Sequence, residues 1–357
     1  MYSNAETILE VDGEKCFDKG KVSHCFNSFF SKVASSLVQK LPRPSRRFTP
    51  DSASFRQFYG DKRVRPDSFK LSPVTRKFIL SQLSDLKVNK STGLDGIPPK
   101  LLKDGAECLT DPILHIINFS LLSEAVPSGF KDARVSPLFK KGSRLDPSNY
   151  RPVSILNVLS KILERAAHKQ LVEYLEKNKL FSGSQSGFRS GFSTDTCILG
   201  LTEYIRGEMS QGKLVGMVLL DLQKAFDCVD HDLLLLKLKG MGVGSIDWFR
   251  SYLTGRRQCT VVGGTKSDFL GVTCGVPQGS ILGPTLFLCY INDMAASLRC
   301  KVSLYEDDST LIASGDTPDQ LAQFLSDELS NCRDWMTDDF LYIWAKPSAC
   351  FLVQKDD

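Results

Sequence analysis

The sequence predicts an α+β protein in which helices pack against short antiparallel strands. Amphipathic helical segments, such as Leu159 to Lys177, alternate with short apolar runs, such as Val215 to Leu220, and no repeat occurs at solenoid periods. The 357 residues are 42% hydrophobic, which supports a buried core. The pattern therefore favours a layered globular architecture over a disordered chain or a repeat array.

Charge and cysteine content argue against several classes of protein. The net charge of +4 arises from 45 basic and 41 acidic residues, so any site for a polyanion must be local. The 11 cysteines include no CxxC pair, which argues against a zinc ribbon or a disulfide scaffold. The sequence starts without a signal peptide, and its apolar runs are too short for a membrane span. We expect an intracellular protein of the nucleus or cytoplasm, with no membrane partner.

The first third of the chain is predicted to be helical on both sides of a linker. Residues 1–66 form an N-terminal extension with one amphipathic helix, His24 to Val38, and a basic linker rich in Pro and Ser. Ser72 supplies an N-cap for the next helix, which we expect to end near Lys87.

The second half contains the strands of most interest. The strand Val215 to Leu220 ends at Asp221, and a Leu-rich helix that follows it closes at Gly240. Two further strands, Val302 to Tyr305 and Ser309 to Ile312, flank a tight acidic turn. A capping box that begins at Thr317 then opens another helix.

Two acidic sites occur in matching contexts, Asp221 at a strand end and Asp307 with Asp308 at a hairpin tip. Carboxylates that converge repel each other unless divalent cations neutralise them, and Mg²⁺ prefers hard oxygen ligands. The sequence therefore predicts a two-ion site at this place. The alternative is ordinary turn chemistry, because Asp tolerates turn conformations.

Several segments around these carboxylates resemble one known family. Three of them, in chain order, are LLDLQKAFDCVDH at 219–231, GVPQGSILGPTLFLCYINDM at 275–294 and LYEDDSTLIASG at 304–315. They resemble the A, B and C palm motifs of the reverse transcriptases of non-LTR retrotransposons. Upstream segments that resemble the family's fingers are NKSTGLDGIPPKLLK at 89–103, FKDARVSPLFKKGSRLDPSNYRPVSILNVLSKILERAAHKQL at 130–171 and QSGFRSGFSTDTCIL at 185–199.

The resemblance implies a right-hand polymerase fold in which fingers and palm combine an antiparallel sheet with packed helices. It places the helical N-terminal part of the fingers at 67–120 and the fingers and palm at 121–350, and it leaves 351–357 as a truncated tail, so we expect the thumb to be missing. The implied activity is RNA-directed DNA polymerisation. Its partners are an RNA template, a DNA primer and deoxynucleoside triphosphates, and its cofactor is Mg²⁺, with Mn²⁺ as an alternative.

The same resemblance assigns catalytic roles. Asp221 and Asp307 are the implied principal metal ligands, and Asp308 is the third carboxylate. Phe226 matches the aromatic residue that excludes a ribose 2′-hydroxyl, although an ordinary core phenylalanine is the alternative. Lys346 lies where the family often has a lysine that protonates the leaving pyrophosphate.

Nucleotide-binding roles follow in the same way. Lys140, with Lys141 as a competing choice, and Arg151 match the finger residues that hold the triphosphate, although a solvated basic turn is the alternative. Gln278 and Gly279 fall in the PQG segment, where the backbone approaches the template and the nucleotide closely.

Some positions depart from the family pattern, and these departures keep other functions open. Glu306 stands where a small or apolar residue is usual, and Phe192 stands where a histidine is common. A degenerate, truncated copy that binds nucleic acid without catalysis is therefore the main alternative. Another palm polymerase, such as a mobile-intron maturase or a telomere-type enzyme, is the third.

Overall fold

The computed structural model describes residues 7–11, 13–38, 52–62, 64–338 and 348–352. Within these residues the chain forms helices and strands in alternation. The α-helices are α1 Lys19–Val38, α2 Ala53–Tyr59, α3 Arg76–Ser84, α4 Pro99–Asp104, α5 Ala106–Ser123, α6 Val158–Lys177, α7 Thr194–Ser210, α8 His231–Gly240, α9 Ile246–Leu253, α10 Leu282–Ile291 and α11 Pro318–Asp338.

The strands of the described residues form three sheets. They are β1 Leu9–Val11, β2 Glu14–Cys16, β3 Asp132–Phe139, β4 Tyr150–Ile155, β5 Leu214–Asp221, β6 Arg256–Val262, β7 Thr265–Lys266, β8 Leu270–Val272, β9 Lys301–Tyr305, β10 Asp308–Gly315 and β11 Ser348–Leu352. β1 pairs with β2, a second sheet has the order β4-β3-β6-β7 with β8 on β6, and a third has the order β11-β5-β10-β9. Every pairing is antiparallel except β3 with β6. The predicted mixture of helices and antiparallel sheets is confirmed.

The chain divides into two compact units, each built from three segments. The first unit comprises Met1–Ser36, Phe69–Val172 and Val243–Gly283. The second unit comprises Leu37–Ser68, Glu173–Gly242 and Pro284–Asp357. The sheet that contains β3 and β4 belongs to the first unit, and the sheet that contains β5 and β10 belongs to the second.

The core of the first unit forms where α1 packs on the β3–β4 hairpin. Phe26 is fully buried, and its ring lies edge-on to Tyr150 with 4.8 Å between centroids. Val22, Phe30 and Val135 belong to the same buried cluster. The apolar face of α1 therefore supports one side of the hairpin and leaves its other side open.

The core of the second unit forms between its sheet and α11. Leu321 and Leu325 are buried on α11, and a Cβ atom at Gly216 of β5 would lie only 2.7 Å from the Leu325 Cδ1 atom. Glycine within a strand is costly unless another element approaches closely. The glycine in the run LVGMVLL is explained by this contact, which fixes α11 against β5.

Most elements predicted from the sequence are confirmed within a few residues, including β5, β10 and α6. The start of α3 is an exception, because Thr75 and not Ser72 is its N-cap and accepts a 3.3 Å hydrogen bond from Phe78 N. Ser72 instead binds Gln170, donating through its backbone N and its Oγ to Oε1. No helix among the described residues has the length and apolar character needed to cross a membrane.

A buried ion pair lies at the centre of the second unit. Lys237 of α8 donates through Nζ to Asp293 Oδ1 at 2.7 Å, and both side chains are almost fully buried. The same Nζ donates to Tyr290 O at 2.7 Å, while Asp293 Oδ2 accepts from Ser54 Oγ and Trp335 Nε1. Because each charge is desolvated, its partners must all be present for the pair to be tolerated.

We expect Asp293→Ala to lower the free energy of unfolding by about 3–5 kcal/mol, because it leaves the buried Lys237 ammonium without its counter-charge. The matched control is Asp132→Ala, which removes a pair with Arg257 of the same 2.7 Å length at a site where the Arg257 side chain is 57% exposed. Urea titration followed by circular dichroism measures both losses. A loss for Asp293→Ala no larger than that for Asp132→Ala would contradict the importance of burial.

Candidate active site

The candidate catalytic carboxylates lie at the ends of two paired strands. β5 ends at Asp221 and β10 begins at Asp308, and these two residues are directly opposite each other in the antiparallel register. Opposite residues in such a pair have Cβ atoms about 4.5–5.5 Å apart on one face of the sheet. Asp307 is the second residue of the two-residue turn between β9 and β10, and Asp308 follows it directly. The predicted convergence of the two acidic segments is confirmed, whereas their catalytic role stays a prediction.

Burial separates the two faces of this sheet beside the carboxylates. Asp221 and Asp308 are exposed, as is Leu219 of β5, whereas Leu220 and its partner Ser309 are buried. The alternation of strand side chains places the acidic pair on the open face. Both carboxylates are therefore accessible to a cation or a substrate from solvent.

Glu306 is the first residue of the acidic turn and has an unusual environment. Its φ is +58°, a left-handed conformation that is unfavourable for a residue with a Cβ atom. Burial raises the pKa of its carboxyl, and the negative charges of Asp307 and Asp308 raise that pKa further. Negative charge is thus already crowded at the hairpin tip.

The donor set fits a magnesium site of the open type. Within the part of the chain that the structure describes, no three His, Cys, Asp or Glu side chains are grouped closely enough to hold one ion. Asp221 and Asp308 nevertheless present oxygen donors on one face. Mg²⁺ is usually bound by one or two carboxylates and completes its shell with water and substrate phosphates. The residues present fit this arrangement, in which the remaining ligands come from outside the protein.

Phe226 forms the middle of a column of three aromatic rings in the second unit. Its ring stacks on Phe287 with 4.5 Å between centroids and 25° between planes, and Phe188 approaches it edge-on at 6.2 Å. Phe287 is fully buried, Phe226 is half-buried, and Phe188 is 46% exposed. The column therefore holds the Phe226 ring in a fixed orientation while leaving part of it accessible.

In the first unit, two predicted nucleotide-binding residues lie on one face of the β3–β4 hairpin. Arg151 is opposite Leu138, and Lys140 donates through its backbone N to Asn149 O at 2.8 Å, which extends the pairing. Strand alternation puts Lys140, Leu138 and Arg151 on one side, and all three are exposed. The arrangement favours Lys140 over Lys141 as the partner of Arg151.

The PQG segment of the first unit is held by the end of β4. Ser154 donates through its backbone N to Gln278 O at 2.7 Å. Gly279 has a φ of +115°, and a Cβ atom there would lie 2.5 Å from Ser154 O. Only glycine fits at this position, so the backbone at 278–279 has one defined course.

The remaining predicted residues lie outside the described residues or have structural partners. Lys346 lies outside the described residues. The predicted linker within residues 1–66 is wrong in part, because its described residues include α2, Ala53–Tyr59. Phe55 and Tyr59, four residues apart on this helix, are both buried. Arg189, in the segment 185–199 that resembles the family's fingers, forms a double hydrogen bond with the Glu176 carboxylate at 2.9 and 3.0 Å and is largely buried. Ser193 caps α7 and forms a capping box with Thr196.

Sequence reasoning missed two buried polar residues that hold the motifs. Glu164 of α6 accepts hydrogen bonds from Ile281 N and Leu282 N at the start of α10, next to the PQG segment, and burial raises its pKa. Its place within the apolar stripe of α6 was a usable signal. Gln185 bonds the backbone of Glu306 in the acidic turn, and no periodicity marked it.

Comparison with known proteins identifies a matching family and several relatives. The family profile described as reverse transcriptase (RNA-dependent DNA polymerase) matches residues 139–350. A probable RNA-directed DNA polymerase from transposon BS of Drosophila melanogaster is 29% identical over 75% of this chain and 31% of its own length. The RNA-directed DNA polymerase from the mobile element jockey of the same species is 31% identical over 69% of this chain and 27% of its own.

A third relative is the Pol polyprotein from the type-1 retrotransposable element R1 of Bradysia coprophila, which is 28% identical over 75% of this chain and 27% of its own length. The chain thus spans less than a third of each of these relatives. The family match begins at the last residue of β3 and extends over β4 and the paired acidic strands. The chain belongs to the reverse transcriptase family, and its sequence is of the non-LTR retrotransposon type.

Proposed function

We propose that this chain is the polymerase portion of a retrotransposon reverse transcriptase and adds deoxynucleotides to the 3′ hydroxyl of a DNA primer on an RNA template. The second unit acts as the palm of a right-hand fold, and the first unit supplies fingers. The observation that carries the proposal is the pairing of Asp221 with Asp308 across β5 and β10 on an open face.

The three aspartates supply the charge that nucleotidyl transfer needs. Asp221 and Asp307 act as principal ligands of Mg²⁺, or alternatively Mn²⁺, and Asp308 lies beside the primer end. Bound metal ions would activate the primer hydroxyl and stabilise the leaving pyrophosphate. The open face lets the carboxylates meet the incoming triphosphate without a change in the sheet.

The remaining roles concern nucleotide binding, template binding and proton transfer. Lys140 and Arg151 hold the triphosphate, because a lysine charge and a forked guanidinium both suit a polyanion. Gln278 and Gly279 contact the template or the new base pair through a backbone that has one defined course. Phe226 excludes the ribose 2′-hydroxyl, and Lys346 protonates the pyrophosphate.

Glu306 favours a second candidate function. A third negative side chain in a crowded turn raises the cost of the arrangement and competes for any cation that approaches Asp307 or Asp308. A chain disabled in this way would keep its fold and bind nucleic acid through its basic residues, with an affinity that falls as salt rises.

We expect Mg²⁺-dependent extension of a primed RNA template by the native chain, and a loss of about 100-fold or more in Asp221→Asn and Asp307→Ala, because each removes charge that stabilises the transition state. Incorporation of labelled deoxynucleotides measures the rate. Asp319→Asn, which alters an exposed carboxylate in the first turn of α11, is the control and should extend normally.

The Glu306→Ala variant separates the two candidate functions. Extension by the native chain supports the polymerase. Extension that appears only in Glu306→Ala locates a defect at the hairpin, and the absence of extension in every variant supports the non-catalytic candidate.

We expect Phe226→Ala to raise incorporation of ribonucleotides relative to deoxynucleotides by about 10-fold or more, because removal of the ring opens space for a 2′-hydroxyl. Competition between the two nucleotide types on one primed template gives the ratio. Phe269→Ala, at an exposed phenylalanine of the first unit, is the control. An unchanged ratio in Phe226→Ala would assign this ring to packing alone.

We expect Lys140→Ala to raise the KM for deoxynucleotides by about 10-fold or more, because it removes a charge-assisted hydrogen bond to the triphosphate. Lys141→Ala is the matched control, since it removes the same charge from the neighbouring residue. Steady-state extension at varied nucleotide concentration measures KM. Equal effects of the two variants would indicate a diffuse basic turn in place of a defined contact.

A further inference from the structure

A segment of the second unit lies along the outer edge of the acidic hairpin. Ser186 N donates to Leu304 O at 2.9 Å, and Leu304 N donates to Ser184 O at 2.8 Å. Gln185 and Leu304 form an isolated parallel bridge. The segment 184–187 therefore extends the sheet at β9 and holds the strand that leads into the turn.

The side chain of Gln185 continues this contact around the turn itself. Its Oε1 accepts from Glu306 N at 3.2 Å, and its Nε2 lies 3.4 Å from Glu306 O. The same Oε1 accepts from Gly187 N at 2.7 Å, and the Gln185 side chain is buried. One amide group thus satisfies both backbone groups of the residue that has the left-handed conformation.

Steric fit limits the turn from the same side. A Cβ atom on Gly187 would overlap the backbone nitrogen of Glu306, so the segment approaches the turn as closely as glycine allows. Because Glu306 has a positive φ, its conformation persists only if surrounding contacts fix it. Gln185 and Gly187 supply contacts of this kind directly beside Asp307.

We infer that Gln185 is a positioning residue for the acidic hairpin: its buried amide fixes the backbone of Glu306 and thereby the direction in which Asp307 and Asp308 present their carboxylates. This role rests on the proposed function of those aspartates. Residues that orient metal ligands from behind commonly change metal affinity or activity by about 10–100-fold when they are replaced.

The test compares Gln185→Met with Asn292→Leu, since each replaces a buried amide with an apolar side chain of similar size. Asn292 accepts from Ser182 N at 2.8 Å and donates to Leu180 O at 2.6 Å, so it holds the base of the same segment without touching the turn. A general loosening of the segment would affect both variants alike. Thermal unfolding of each variant measures the loss of stability that they share.

Two readouts report on the hairpin itself. Hydrogen exchange of peptides that cover residues 303–310 measures protection of the turn, and electron paramagnetic resonance of added Mn²⁺ measures cation binding without substrate. We expect faster exchange and about 10-fold weaker Mn²⁺ binding in Gln185→Met only. In primer extension, the Mg²⁺ concentration for half-maximal rate should rise by a similar factor.

The outcomes separate this role from the proposed function. Equal changes in both variants, or faster exchange in Gln185→Met with unchanged Mn²⁺ binding, would overturn the positioning role. Should Gln185→Met not fold, Gln185→Asn serves instead, because it keeps a buried amide that is one methylene too short to make both hydrogen bonds to Glu306, and normal Mn²⁺ binding and exchange in it would overturn the role. A native chain that extends no primer removes the proposed function, while the exchange and Mn²⁺ comparisons still decide the role of Gln185.

Discussion

The antiparallel register of β5 and β10 is the constraint on which the candidate site depends. It places Asp221 opposite Asp308, and the next pair along the strands is buried Leu220 with Ser309. A slip of one residue would move an aspartate to the buried face and a core side chain to solvent. The cost of burying that charge keeps the register in place and holds two mutually repelling carboxylates together.

The support for this register lies away from the carboxylates. α11 packs on Gly216, the third residue of β5, and the buried Lys237–Asp293 pair links α8 to the residues that follow α10. These contacts stabilise the second unit, whose open face carries carboxylates that repel each other. The stability of the core therefore offsets the repulsion between the exposed carboxylates.

The sequence predicted much of the fold because local patterns determined it. The apolar run at β5, the acidic turn and the periodic stripe of α6 are each visible within a short segment, and all three elements are confirmed. The predicted start of α3 was wrong because Ser72 binds Gln170, a partner 98 residues away that no local pattern reveals. Glu164 and Gln185 were missed for the same reason, since their partners are backbone groups distant in sequence.

The two residues that sequence reasoning missed support their motifs in the same way. Glu164 bonds the backbone beside the PQG segment, and Gln185 bonds the backbone of the acidic turn. In both cases a buried side chain satisfies main-chain groups that the local fold leaves unpaired, as burial requires. The proposed polymerase site needs side chains that can meet substrate and a backbone that is held in place. Because the side chains of the motif residues face outward, the side chains that hold the motif backbone must come from elsewhere in the sequence.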